Sequence, residues 1–285
     1  HRLFRRQRQM CIRDRPIMDG FAKYLSSELP VLQITWARYF FTVVFIFPLM
    51  LFFFKKYLVW TDKPKLQLIR GLILLTANIS FFYSISVISL PKALTLAFVA
   101  PLVVTAFSPF FLGESVGYRR WAAVIIGFIG SLVVIRPGFL EINLASLAAL
   151  GTGIMYGFYL IITRKLSTSD NPLLTLLLTG VVGAIIATTF MPFVWVSPTF
   201  NQWSIMAAIG LFACIGHLFI ILSLKYADAS KLAPFSYFEI VTNIIIAYYF
   251  FGDFPDSWTF LGLFIIVFSG IYISRRENIV KKIKI

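Results

Sequence analysis

Long apolar runs separated by short polar punctuation dominate the chain. Between Lys92 and Gly138 one run, Ala93–Leu112, ends at a Gly113-Glu114 turn followed by Arg119 and Arg120, and a second, Trp121–Ile135, begins at once. A helix needs about 20 apolar residues to cross a bilayer, and both runs read as spanning helices. The same reading gives Leu32–Phe54, Leu66–Ser89, Leu144–Ile162, Leu173–Val196, Trp203–Leu224, Leu232–Phe251 and Trp258–Ser274. A shorter run, Pro16–Leu29, reads as the second half of a helix whose first half is missing. The pattern predicts an all-α polytopic membrane protein with ten transmembrane helices, five in each half of the chain.

The halves echo each other. A shift of 139 positions lays Lys92 on Lys231 and Gly113-Glu114 on Gly252-Asp253. One further residue lays Gly130 on Gly270. Near the N-terminus Met18, Gly20 and Phe21 fall on Met155, Gly157 and Phe158 at a shift of 137. Self-similarity at a fixed period implies duplication, with repeats at 16–138 and 144–275. Cytoplasmic loops carry the excess of Lys and Arg. With the N-terminus inside, Lys55, Lys56, Lys63, Lys65, Arg164, Lys165 and Lys225 are inside, as is a basic tail at 276–285. The outer loops hold only Lys92 and Arg136. Both termini are therefore expected in the cytoplasm, at a bacterial-type inner membrane. Five is odd, so the second repeat is inverted, the plan of secondary transporters with a midplane site between repeats.

Composition agrees. Hydrophobic residues make up 59% of 285 positions and charged residues 13%, about half the charged share of a soluble domain. The net charge of +14 sits in loops, so membrane orientation explains it and no nucleic acid is implied. The first fifteen residues hold six arginines and resemble nothing downstream; they read as an artefactual leader. No apolar segment of suitable length follows them, which argues against a signal peptide. Two cysteines, Cys11 and Cys214, form neither a disulfide framework nor a zinc motif.

The chain resembles the drug/metabolite transporter superfamily, in its EamA-like branch of paired five-helix repeats. The resemblance covers about 16–275 and rests on Asp19-Gly-Phe-Ala-Lys23, Arg38, Arg70-Gly71, Ala100-Pro101, Gly113-Glu114 and Trp121 through Gly130. The first half is also similar to the S-adenosylmethionine uptake permeases of that superfamily, through Lys23-Tyr24-Leu25, Arg38-Tyr39-Phe40, Arg70-Gly71-Leu72, Arg120-Trp121 and Gly127-Phe128-Ile129-Gly130. Riboflavin and amino-acid permeases share much of the framework. The resemblance implies a permease for a small organic metabolite.

Ionisable groups in a bilayer face a cavity or a partner and mark candidate sites. Asp19 and Lys23, four apart, share a helix face and can pair, with Arg38 completing the network; the competing reading is a structural clamp. Glu239 has no basic neighbour within a turn and suits a proton or a cationic solute. If the solute is S-adenosylmethionine, its sulfonium and ammonium would suit Glu239 or Asp19. His217 falls at the repeat position of Asn78, so the pair could face one cavity, against a packing role for each. Trp36, Tyr83, Tyr156 and Tyr237 offer rings for stacking, though core or lipid packing uses such rings as well. Gly153-xxx-Gly157 has the spacing of close helix approach, read as packing within one protomer. Pro101, Pro109 and Pro234 are candidate hinges.

No HExxH, Gly-x-Ser-x-Gly or phosphate-loop motif occurs. An Asp19/Glu239 dyad is the one enzyme candidate, and a scaffold would show longer loops. The expectation is a secondary transporter without cofactor or metal, whose partners are the lipid bilayer and a small solute. Uptake, efflux, proton coupling and exchange all stay open.

Overall fold

Inside a bilayer no water satisfies backbone N–H and C=O groups, so an apolar chain must close its hydrogen bonds within helices. The computed structural model describes residues 15–54, 61–113, 116–136, 143–167, 169–226 and 229–283, apart from the side chains of 226–238, 274 and 276–283. Among these residues every regular element is a helix. They are α1 (residues 15–25), α2 (Val31–Phe53), α3 (Pro64–Val87), α4 (Leu90–Ala97), α5 (Ala100–Leu112), α6 (Tyr118–Ile135), α7 (Leu144–Leu166), α8 (Pro172–Val194), α9 (Phe200–Tyr226), α10 (Ala229–Phe251) and α11 (Ser257–Ile283). Seven spans are long and apolar enough to cross a membrane, one of them being α4 and α5 together. Glu239–Phe251 and Ser257–Ile273 are shorter apolar helices. With α1, the described helices form the ten segments of the fold.

Local chemistry sets several helix starts. The Asn171 side chain accepts from the Leu173 N–H at 2.9 Å, with Pro172 opening α8. Asn143 accepts from Ala145 at 2.8 Å before α7, and Asp256 from Thr259 at 2.9 Å in α11. Each side chain satisfies a donor that a helix start leaves orphaned. The two glycines that the repeat aligns, Gly113 and Gly252, both take φ +67 where α5 and α10 end. That left-handed turn is open to glycine at little cost.

One finding differs from the pattern reading. The fourth span is broken: α4 stops at Ala97, and α5 starts at Ala100 with Pro101 in its first turn. Proline has no N–H, so Ala97 O loses the donor that a continuous helix would supply. Helix α11 continues past Ser274 to Ile283.

The helices pack into two compact units, each drawn from both sequence halves. The first comprises His1–Phe82 and Ile162–Tyr226, the second Tyr83–Ile161 and Ala227–Ile285. In the first unit α2 is the axis, flanked by α8 and α9. A Cβ added at Gly183 would lie 2.5 Å from Tyr39 Cγ, and one at Gly180 would lie 3.0 Å from Val43 Cγ2, so α2 and α8 touch closely through small residues. Ile46, Met50, Leu174, Leu177, Cys214 and Ile221 fill one end of this core. In the second unit α6 and α11 meet at Gly130 and Gly262; a Cβ on Gly262 would stand 2.6 Å from Gly130 O. There too, Gly153 and Gly157 of α7 press on the α4–α5 break. Cβ atoms at these glycines would lie 2.7 Å from Ala97 O and 3.0 Å from Ala100 O. Lipid is the natural neighbour of outward rings such as Phe193 and Phe200, which are almost fully exposed.

Candidate solute-binding groups in the two units

Arg38 sits in the first half of α2, and its side chain is buried in the first unit. Its Nη2 lies 2.6 Å from Nε2 of His217 on α9, which is also buried. Guanidinium nitrogens only donate, so Nε2 must accept and the imidazole proton sits on Nδ1. The next residue along α2, Tyr39, carries its ring beneath the guanidinium, 4.9 Å from ring centroid to Cζ. Its hydroxyl accepts from Asn78 Nδ2 of α3 at 2.8 Å. Asn78 and His217, the pair set at one repeat position, thus both reach α2, through adjacent residues. Asp19 is buried and Lys23 half-buried on α1 in the same unit.

The second unit holds the remaining candidates. Glu239 is buried on α10, and one turn on, Asn243 is fully buried and donates to the Glu239 carbonyl at 3.1 Å. Tyr156 is half-buried and stacks on Tyr159, with centroids 5.4 Å apart. Tyr83 is half-buried at the point where α3 enters this unit. The Tyr237 and Pro234 side chains, the chain up to residue 14, Lys55, Lys56 and Glu114 lie outside the described residues. Trp36 belongs to an aromatic cluster: its ring stacks on Phe40 at 4.7 Å and meets Trp195 edge-on at 5.5 Å, and its Nε1 donates to Thr188 at 2.9 Å. Such contacts use both the face and the polar handle of the indole.

A polar network not singled out from sequence occupies the first unit. Arg70, fully buried on α3, donates to Thr163 Oγ1 at 2.7 Å, to the Thr175 carbonyl at 3.1 Å and to Thr179 Oγ1. One turn earlier Gln67 Nε2 donates to Asp170 Oδ2 at 2.6 Å, as does Thr61 Oγ1 at 2.6 Å. The network ties the start of α3 to the end of α7 and the start of α8. Arg70 had an available signal, being an ionisable residue in an apolar run. Asp170 had none, lying in a short polar stretch like any other loop residue.

A bundle of membrane-crossing helices with ionisable side chains buried inside and a broken span is the architecture of a secondary transporter. The EamA-like transporter family matches residues 17–136 and again 143–275, and the chain belongs to that family. It is a transporter, not an enzyme, and a multi-pass membrane protein. A Rickettsia bellii protein named S-adenosylmethionine uptake transporter is 27% identical over 93% of this chain and 91% of its own length. A Vibrio cholerae riboflavin transporter is 28% identical over 66% of this chain and 63% of its own. The Pseudomonas aeruginosa pseudopaline exporter CntI is 25% identical over 92% of both. A solved crystal structure, 16% identical, superposes with a TM-score of 0.67 over 94% of this chain and 98% of that one, sharing the fold.

Proposed function

We propose that the protein takes up S-adenosylmethionine, or a solute built like it, across a bacterial inner membrane by alternating access, with both termini cytoplasmic. The observation that carries this reading is likeness along nearly the whole chain to S-adenosylmethionine uptake transporters, 27% over 93% of its length. Likeness to the riboflavin transporter covers a smaller share. The repeats at 16–138 and 144–275 are read as inverted copies. The solute-facing or coupling groups in this reading are Asp19, Lys23, Arg38, Asn78 and His217 in the first unit, with Tyr83, Tyr156, Tyr237 and Glu239 in the second. Glu239 is the group assigned to the sulfonium or to a coupling proton, because a carboxylate buried in an apolar helix is kept only for a partner.

Export is the second reading, favoured by the full-length likeness to the pseudopaline exporter. The test is counterflow in proteoliposomes loaded with S-adenosylmethionine, following the labelled compound, with riboflavin and mixed amino acids as competitors. Accumulation that S-adenosylmethionine alone competes away is the expected result. No accumulation with it, beside counterflow of another solute, would remove the proposed solute while keeping the family. Glu239→Gln transporting at the parental rate would remove Glu239 from the site.

A further inference from the structure

We propose that Arg38 and His217 form a carboxylate-binding subsite within the first unit, which holds the acid end of an amino-acid-type solute. The proposal deepens the uptake reading and rests on it. Arg38 is a permanent cation, 2% exposed, in a span otherwise apolar for most of its length. Its hydrogen bond at Nη2 goes to an uncharged acceptor, the Nε2 of His217, and its Nε has no hydrogen-bond partner at all. Burying a charge costs several kcal/mol unless the group is paired and hydrogen-bonded. Native proteins leave few buried donors unmade, and those they leave call for an explanation. A carboxylate is the anion whose planar fork matches a guanidinium edge with two parallel bonds.

The surroundings hold the guanidinium ready for such a ligand. Tyr39, bonded to Asn78 at 2.8 Å, has its ring centroid 4.9 Å from the guanidinium carbon. His217 takes one donor when no anion is bound, as a neutral acceptor that a stronger one can displace. A second buried cation, Arg70, lies in the same unit and spends its donors on Thr163, Thr175 and Thr179, which leaves Arg38 as the buried guanidinium with a donor to spare. S-adenosylmethionine carries a carboxylate beside its two cationic centres. That carboxylate is the group the subsite would hold.

The test compares S-adenosylmethionine with its decarboxylated form, which keeps the adenosine, sulfonium and amine, as competitors of labelled S-adenosylmethionine counterflow in proteoliposomes. The decarboxylated compound is expected to compete at least about tenfold more weakly, equal to about 1.4 kcal/mol of binding. Arg38→Gln should raise KM for S-adenosylmethionine and level the two competitors, and Arg38→Lys should restore part of the preference. Equal competition on the parental protein overturns the subsite and leaves the uptake reading standing, and that arm needs no variant to fold. Absence of S-adenosylmethionine counterflow removes the uptake reading. The subsite is then judged on mixed amino acids against riboflavin, which has no carboxylate. Amino-acid counterflow lost in Arg38→Gln supports it; counterflow of riboflavin alone, of amino acids independently of Arg38, or of nothing overturns it.

Discussion

Replacing Gly183 by alanine puts a methyl group where the Tyr39 ring already lies. The new Cβ would stand 2.5 Å from Tyr39 Cγ and 2.6 Å from Cε1, against about 3.5–4.0 Å for carbon atoms in contact. Tyr39 is fully buried and rigid, so it cannot swing aside as the tip of a long side chain would. The ring, or α8 as a whole, must move by about 1 Å to restore contact distance. Overpacking of this kind costs about 1–3 kcal/mol. Displacing the ring also breaks the 2.8 Å bond between Asn78 and the hydroxyl, at about 1 kcal/mol. The helix itself gains up to about 1 kcal/mol when alanine replaces glycine. The net expectation is a loss of about 1–3 kcal/mol, read as a lower midpoint for thermal unfolding of the detergent-solubilised protein. Gly151→Ala is the control, because nothing lies within 4 Å of a Cβ there and the helix gain stands alone. Tyr39→Ala makes room for the methyl, so the double variant should be more stable than the sum of the single effects requires. Gly183→Ala melting with or above the parent, or strict additivity with Tyr39→Ala, refutes the packing argument.

Pro101→Ala restores an N–H opposite the Ala97 carbonyl and should join α4 to α5. The expected result is a gain of about 1 kcal/mol in stability with counterflow slowed several-fold; an unchanged rate shows that the break has no part in transport. Asp170→Asn replaces the charged acceptor that Thr61 and Gln67 share, both at 2.6 Å. Charge-assisted bonds are worth about 1.5–3 kcal/mol, so the variant should lose about 1–3 kcal/mol on unfolding in detergent, and an unshifted midpoint would show the network to be incidental.

Most of the helical framework could be read directly from the apolar runs, because each spanning helix must be apolar on nearly every face. Its edges were less legible. Ala93–Leu112 is apolar throughout, so the break at Phe98 and Val99 leaves no trace in hydropathy, and Pro101 is the sole local sign. The compact units were not legible at all. Apolar patterning says which residues avoid water, but in a membrane it does not say which helices touch. Arg38, Asn78 and His217 stand out singly as polar residues in apolar runs. Their meeting on α2 depends on packing between helices far apart in sequence, which no local spacing encodes. Arg70 was visible by the same criterion, whereas Asp170 acquires significance only when α3 is folded against the loop that holds it.

The interleaving of the two units has a consequence for how the protein is made. Arg38 and its partner His217 are 179 residues apart. At synthesis rates of about 5–20 residues per second, about 10 to 35 seconds pass between them. During that time α2 carries into the membrane a cation that the folded protein buries, while the helix that will bond it has not left the ribosome. Neither unit can close before α9 or α10 emerges, so packing of both waits for the second half of the chain. A nascent chain stalled before α9 should leave Arg38 open to the insertion machinery, and release of that contact should track the appearance of His217.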